Sequence, residues 1–397
     1  MASSHLAPNY APLPVVLASG KGSWVTDIEG KTYFDALAGY SALNFGHLNN
    51  ELIAVAKQQL DTLTLTSRAF DNNLLDPFAD ALCELASTEM MLPMNSGAEA
   101  VETAIKAMRR WGHLKRGVAP EDGVIIVAEG NFHGRTSTII SFSTDPVAHD
   151  GYGPYMSGFT IVPYGDLAAF EAALTPEVVG VLIEPIQGEG GVIIPSADYL
   201  PGVQRLCNES GVLLTLDEIQ SGLGRTGTTF ARELTGTTPD LMCLGKALGG
   251  GIMPVSVVTG RADVLELFSA GTHGSTFGGN PLACAIGLKV CEMLQTGVWQ
   301  EAARELGERL SARLEDFVDE GLLLAQRSVG LWAGIDFDPE FGTGRELCEA
   351  LMERGVLAKD THGSTIRLAP PLTTSAEDLD WALDRLEEAL RSLSGAI

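Results

Sequence analysis

The chain is poor in lysine. Eight lysines stand among 397 residues, so a lysine in apolar company is a rare and informative event. Basic residues as a whole are scarce: 26 Lys and Arg against 51 Asp and Glu give a formal net charge of −25. Nucleic acid and anionic membrane surfaces both need a basic face, so neither partner is expected. The acidity is spread along the chain and not gathered in a tail, which reads as a solvated acidic surface. No run reaches the roughly 18 apolar residues of a membrane-spanning helix. The N-terminal MASSHLAPNYAPLPVV lacks a basic segment leading into an apolar one, so no secretory signal is expected. The six cysteines (Cys83, Cys207, Cys243, Cys284, Cys291 and Cys348) form no CxxC pair and lie in apolar segments. They read as small buried hydrophobes of a cytoplasmic protein. The seven histidines lack metal-ligand spacing and HExxH is absent, so no metal site is expected.

What is present is a series of short Val/Ile/Leu runs: 124–128, 138–142, 178–184, 212–216, 240–244 and 255–259. Continuous apolar runs of five to seven, separated by helical patterns, predict an α/β protein whose mainly parallel sheet is buried on both faces. Around that series, residues 1–20 read as an irregular Pro-rich arm, and 24–37 as a hairpin turning at Glu29-Gly30. Asn50 is expected to cap a helix through ELIAVAKQQLDTL. A further helix is expected at about 74–87, and the chain turns from extended to helical at Ser96-Gly97. Long helices are expected from Asn280 and over 299–318. The end reads as α+β, with a helix over 344–354 and a closing helix from about Ser375. This gives an arm and part of a small domain at 1–49, a large domain at 50–290, and the remainder of the small domain at 291–397.

The rare lysine is Lys246. It follows the apolar run LMCL and precedes Ala-Leu and three glycines. Burial favours the neutral amine, and a neutral amine is a nucleophile. Such a lysine suggests a Schiff base with a carbonyl, and pyridoxal 5′-phosphate is the obvious carbonyl. Asp217 ends a neighbouring apolar run, at the ligand edge of an open α/β sheet, where a carboxylate keeps a pyridinium nitrogen protonated. Gln220 follows within reach of the ring hydroxyl, and Phe132 offers a flat face. At Asn95-Ser96-Gly97-Ala98, small residues at a helix start suit a phosphate, although a plain Ser cap with Glu99 explains the same residues. Ser275 and Thr276, beside glycines, are a second phosphate candidate or a glycine-rich turn. Arg135 and Arg367 are candidates for a substrate carboxylate, or members of ordinary ion pairs. Gly222–Gly227 matches GxGxxG, but Asp217 and Glu218 in front of it would repel a pyrophosphate. LMCLGKALGGG lacks the Ser/Thr and the upstream glycine of a P-loop.

Taken together, NSGAEAVETAIK, NFHGRT, EPIQGEGG, DEIQSGLGRTG, LGKALGGG and HGSTFGGNP resemble, in this order and over nearly the whole chain, the class III pyridoxal-phosphate-dependent aminotransferases of fold type I. The segments NYAPLPVVL, GYSALNFGH, LTLTSRAF, STDP with DGYGPYMSGF, and LAKDTHGSTIRLAPPL resemble the ornithine δ-aminotransferase branch. The resemblance implies a seven-stranded, mainly parallel sheet and a homodimer with shared sites. It makes Lys246 the Schiff-base lysine, Asp217 the pyridinium partner, Gln220 the ring-hydroxyl contact and Phe132 the stacking aromatic. Ser96, Gly97 and Ala98 form the phosphate cup, with Ser275 and Thr276 reaching it from the neighbouring subunit. Tyr10 and Tyr40 line an ornithine pocket, Arg135 takes the ornithine α-carboxylate, and Glu189 with Arg367 forms a gating pair. The implied reaction moves the δ-amino group of ornithine to 2-oxoglutarate, giving glutamate 5-semialdehyde, which cyclises to pyrroline-5-carboxylate, and glutamate. His133 stands where ornithine enzymes often carry Trp, and Ser96 and Ala98 replace Thr and Val. NFHGRT and NSGAEA are common in acetylornithine aminotransferases. That activity therefore stays open, with Tyr10 and Tyr40 weighing against it; 4-aminobutyrate transamination and an aminomutase are further alternatives.

Overall fold

The computed structural model describes residues 5–361 and 363–395. The first four residues of the expected arm, His362 and the last two residues lie outside the described residues. A seven-stranded sheet forms the centre, in the order Met90–Met94, Ser256–Gly260, Leu241–Leu244, Leu213–Asp217, Val178–Ile183, Val124–Ala128, Phe159–Val162. Six of these strands run in one direction, and Ser256–Gly260 alone among the seven is antiparallel to both its neighbours. The apolar runs are continuous because both faces are covered. Ile126, Leu214, Met242 and Val257 pack on one side with the helices Leu75–Ala86, Tyr199–Ser210 and Pro281–Gln295. Their neighbours Ile125, Leu213, Cys243 and Val258 face the helix Gly97–Arg116 on the other, as the two-residue period of a strand requires.

Several expectations are corrected. The run 138–142 is not a strand. Thr136 Oγ1 accepts the Ile139 N–H and starts a short helix, Ser137–Ile140; this side-chain hydrogen bond overrides the β-branched propensity of the run. The edge strand is instead Phe159–Val162, largely half-buried. Asn49, not Asn50, caps its helix, accepting the N–H groups of Glu51 and Leu52. The arm is not irregular throughout, because Leu17–Lys21 pairs with Trp24–Asp27. The hairpin turn lies where expected, with Gly30 at φ 88°.

Both ends of the chain build a second core. Phe34 and Ala36 pack with Leu310, Phe317, Ile335, Leu351, Ile366 and Leu386. Val356–Leu357 adds in parallel to Thr32–Asp35, and a four-stranded sheet forms from Ala325–Ser328, Ala333–Asp336, Thr365–Leu368 and Lys359–Asp360. Ser375 caps the closing helix Ala376–Ser394. Arg225, fully buried, stitches the two cores together. It donates to Leu331 O at 2.8 Å, to Pro370 O at 2.7 Å and to Asn44 Oδ1 at 2.7 Å. No helix among the described residues is long and apolar enough to cross a membrane.

Candidate active site

The carboxyl ends of the central parallel strands carry Lys246, Asp217 and Glu184. Lys246 follows Leu241–Leu244 and opens a 3-10 turn, Lys246–Gly249, with φ at 46°. That conformation is costly for a residue with a side chain. No hydrogen bond or ion pair engages its amine among the described residues. Burial lowers the amine's pKa, outweighing the attraction of Glu189 and Asp217.

Asp217 ends the adjacent strand. Its Oδ1 accepts the Ile219 N–H at 3.0 Å, and its Oδ2 accepts from His133 Nδ1 at 2.7 Å. His133 is buried, and its Nε2 has no protein partner. Burial opposes its protonation, but the hydrogen bond and charge of Asp217 outweigh it and raise the imidazole's pKa. Glu184 closes the next strand in the same manner. It accepts the Phe132 N–H at 2.9 Å and the Gly188 N–H at 3.4 Å, and burial pushes its carboxyl up to about 7. Sequence reasoning passed over Glu184 and the contact that His133 makes. The available signal was that Glu184 ends its apolar run as Asp217 ends its own.

Phe132 is thus pinned through its backbone by Glu184. Arg135 is exposed and has no ion pair among the described residues; its guanidinium carbon lies 5.9 Å from the Phe132 ring centroid. Ile219, also passed over, walls the helix start. A Cβ on Gly97 would meet it at 3.0 Å, and one on Gly245 at 3.4 Å. Gln220 lies against Gly188, where no Cβ fits.

Ser96 caps Gly97–Arg116. Its Oγ accepts the Glu99 N–H, and Glu99 reaches back to the N–H groups of Ser96 and Asn95. The Ser96 hydroxyl is therefore occupied by the cap, while the Gly97 and Ala98 amides are first-turn donors without intrahelical acceptors. Ser275 Oγ accepts from Asn95 Nδ2 at 2.9 Å within the same chain, and Thr276 is exposed.

Glu189 and Arg367 form a bidentate pair at 2.7 and 3.0 Å, and Arg367 also donates to Gly188 O at 3.2 Å. The Arg367 guanidinium carbon lies 5.5 Å from the Tyr40 ring centroid. Tyr40 sits in a turn in which Ala38, Gly39, Tyr40 and Ser41 all have positive φ, between 47° and 69°. This costs about 1–2 kcal/mol for each residue bearing a side chain. Tyr10 is 76% exposed, and the arm beside it is fastened by Arg345 to Ala11 O and Pro12 O.

These residues fit pyridoxal 5′-phosphate. They offer an amine without a hydrogen-bond partner among the described residues, a fixed carboxylate at a strand end, and first-turn amides made approachable by Gly97, where a Cβ would crowd Ile219.

Comparison with known proteins agrees. Residues 5–390 match the model of the family described as aminotransferase class-III. The chain is 49% identical over 384 residues to an ornithine aminotransferase of Bordetella pertussis, covering 97% of this chain and 93% of the relative. The crystal structure of the ornithine aminotransferase from Toxoplasma gondii ME49 superposes with a TM-score of 0.96 at 38% identity, covering 99% of this chain and 94% of that one. The acetylornithine aminotransferase of Elizabethkingia anophelis superposes with a TM-score of 0.88, also at 38% identity, covering 98% and 96%. The chain is a member of the class III aminotransferase family, whose cofactor is pyridoxal 5′-phosphate.

Proposed function

We propose that this aminotransferase moves the δ-amino group of L-ornithine to 2-oxoglutarate, giving glutamate 5-semialdehyde, which cyclises to pyrroline-5-carboxylate, and glutamate. The observation that carries the reading is the asymmetry between two arginines. Arg367 is buried and neutralised by Glu189, whereas Arg135 is exposed and has no ion pair among the described residues. A substrate with its amine at one end and its carboxylate at the other is served by Arg135 alone. A diacid needs both arginines, and its α-carboxylate competes with Glu189 for Arg367. Tyr10 and Tyr40 line the ornithine end of the pocket. The relatives named ornithine aminotransferase support this substrate. Solved structures bearing the ornithine and acetylornithine names both superpose well, so the fold alone does not choose between them.

Bound pyridoxal phosphate supplies the electron sink that makes a C–H beside the amine acidic. The chain supplies the rest. Lys246, whose amine pKa is lowered by burial, takes the proton from Cδ and would pass it to the cofactor's carbon. Asp217, fixed by His133 and the Ile219 amide, holds the pyridine nitrogen. Gln220 would hold the ring hydroxyl, Phe132 would offer the ring a flat face, and the Ser96–Ala98 turn would hold the phosphate.

Assembly belongs to the same proposal. Ser275 and Thr276 lie in an exposed loop beside Phe277, which is 54% exposed. This supports a homodimer in which the loop reaches the phosphate of the neighbouring subunit. Sedimentation showing a monomer at working concentration would remove that part. Membership of the two cores supports a division near residues 49 and 290, except that Phe45 before the first boundary and Cys291, Met293 and Leu294 after the second pack in the first core. The six free cysteines, five of them buried, are consistent with a cytoplasmic enzyme.

The deciding assay sets ornithine, N-acetylornithine and 4-aminobutyrate side by side with 2-oxoglutarate, following glutamate formation for all three and trapping the cyclised semialdehyde from ornithine with o-aminobenzaldehyde. Ornithine is expected to give the highest kcat/KM. A higher value for N-acetylornithine would replace this function.

A further inference from the structure

The turn that carries Tyr40 is expensive and needs a cause. Four consecutive residues hold positive φ: Ala38 at 47°, Gly39 at 56°, Tyr40 at 60° and Ser41 at 69°. Such a conformation persists only where the surroundings over-determine it. One side chain does most of this. Asp35, at the end of the strand Thr32–Asp35, is buried. Its Oδ1 accepts the N–H groups of Leu37 at 3.0 Å and Ala38 at 2.9 Å, the two residues that lead into the turn. Its Oδ2 accepts from His47 Nε2 at 2.8 Å.

His47 is itself fixed. Its backbone exchanges both hydrogen bonds with Gly22. The exit of the turn is held as firmly: Leu43 N–H donates to Ala38 O at 2.9 Å, and buried Asn44 is tied to Leu223 O and to Arg225. An ordinary Asp turn needs one amide bond. Here three donors converge on one carboxylate at the mouth of a strained turn, and the residue presented by that turn lies against Arg367.

We propose that Asp35 is a positioning residue for substrate selection. It holds the left-handed turn that keeps the Tyr40 ring against Arg367 and so backs the paired state of Arg367 with Glu189. A ring face beside a guanidinium stabilises the cation where it stands. Without the turn, Arg367 loses that face and the pair loosens, so carboxylates of unintended substrates gain access. The inference rests on the reading of Tyr40 and Arg367 as the groups that sort the two substrates.

The test uses the holoenzyme and follows the ornithine and glutamate half-reactions separately. Asp35→Ala is expected to lower the ratio of kcat/KM for ornithine over glutamate by about tenfold or more, with the larger part in the KM for ornithine. Asp35→Asn keeps an acceptor for the two amides and is expected to restore most of the ratio. Added to Tyr40→Ala, Asp35→Ala should lower the ratio no further, because it acts through Tyr40. A ratio within about twofold of the parent, an equal fall in both half-reactions, or an additive effect with Tyr40→Ala would each overturn the proposal. Where Asp35→Ala gives no soluble protein, His47→Gln loosens the same carboxylate and is judged by the same ratio. The supporting reading fails separately: Tyr40→Ala would then leave the ratio unchanged by itself, or the parent would not use ornithine.

Discussion

Glu189 meets Arg367 with both of its oxygens, Oε1 on one terminal nitrogen at 2.7 Å and Oε2 on the other at 3.0 Å. Burial opposes the ionised form of Glu189, but the charge and hydrogen bonds of Arg367 outweigh it and hold the carboxyl below its usual range. Removing the carboxylate leaves a buried guanidinium without its counter-charge, open to any α-carboxylate. Glu189→Ala is therefore expected to raise kcat/KM for glutamate and to lower the ornithine-to-glutamate ratio by about tenfold. Half-reaction kinetics decide this, and an unchanged ratio would end the gating role.

Lys246→Ala removes the amine proposed both to join the cofactor and to move the proton. Turnover is expected to fall by about a thousandfold or more, together with the visible absorption of the lysine-bound cofactor. An active variant would dismiss Lys246 from the chemistry.

His133 is the side-chain partner of Asp217. Replacing it with Phe leaves a buried carboxylate one donor short, at a cost of about 1–3 kcal/mol. We expect kcat to fall by one to two orders of magnitude and cofactor retention on dialysis to weaken. Gln at this position should recover part of both. Parent-like retention and kcat in His133→Phe would show that Asp217 needs no such support.

Glu218 gives a test in pH. Burial raises its carboxyl to about 7, although the N–H groups of Ala231 at 2.7 Å and Arg232 at 2.8 Å work against the shift. With the folded pKa above the unfolded one, the fold favours the protonated acid. Its contribution is full below the unfolded pKa and is lost as pH rises through about 7. Glu218→Gln does not titrate. The stability of the parent relative to this variant should therefore decline across that window, by up to about 3 kcal/mol. The absolute level of the variant falls as well, because an amide N–H₂ must face a backbone donor, so the slope is the quantity to read. Denaturant unfolding at several pH values measures it, and a flat difference would refute the assignment.

The central sheet was legible because burial on both faces leaves continuous apolar runs, as in Val178–Ile183 and Leu241–Leu244. The strand Phe159–Val162 was not, since an edge strand keeps partly exposed positions and breaks the run. The run at 138–142 misled because propensity is local, whereas Thr136 decides the outcome with one hydrogen bond. At the site, residues with distinctive chemistry such as Lys246 and Asp217 stood out singly. The His133–Asp217 contact joins residues 84 apart in sequence, and Glu184 looked like any charge at a strand end, so neither could be read without the fold. The left-handed turn at 38–41 leaves no sequence mark beyond Gly39, because its cause is Asp35 and the distant residues that clamp it.

The pairing of Val356–Leu357 with Thr32–Asp35 also sets an order on folding. Lys31 Nζ, in the same region, donates to Glu353 O across 322 residues of chain, so the second core cannot close until almost the whole polypeptide has left the ribosome. The first core draws on residues 45–294 and is free to form earlier. Until the C-terminal strand arrives, Phe34 and Ala36 wait uncovered beside an open strand edge. Contacts of such long sequence separation slow folding and prolong the exposure of sticky surface. During synthesis, the amino-terminal hairpin is therefore the part of this enzyme most in need of protection from aggregation.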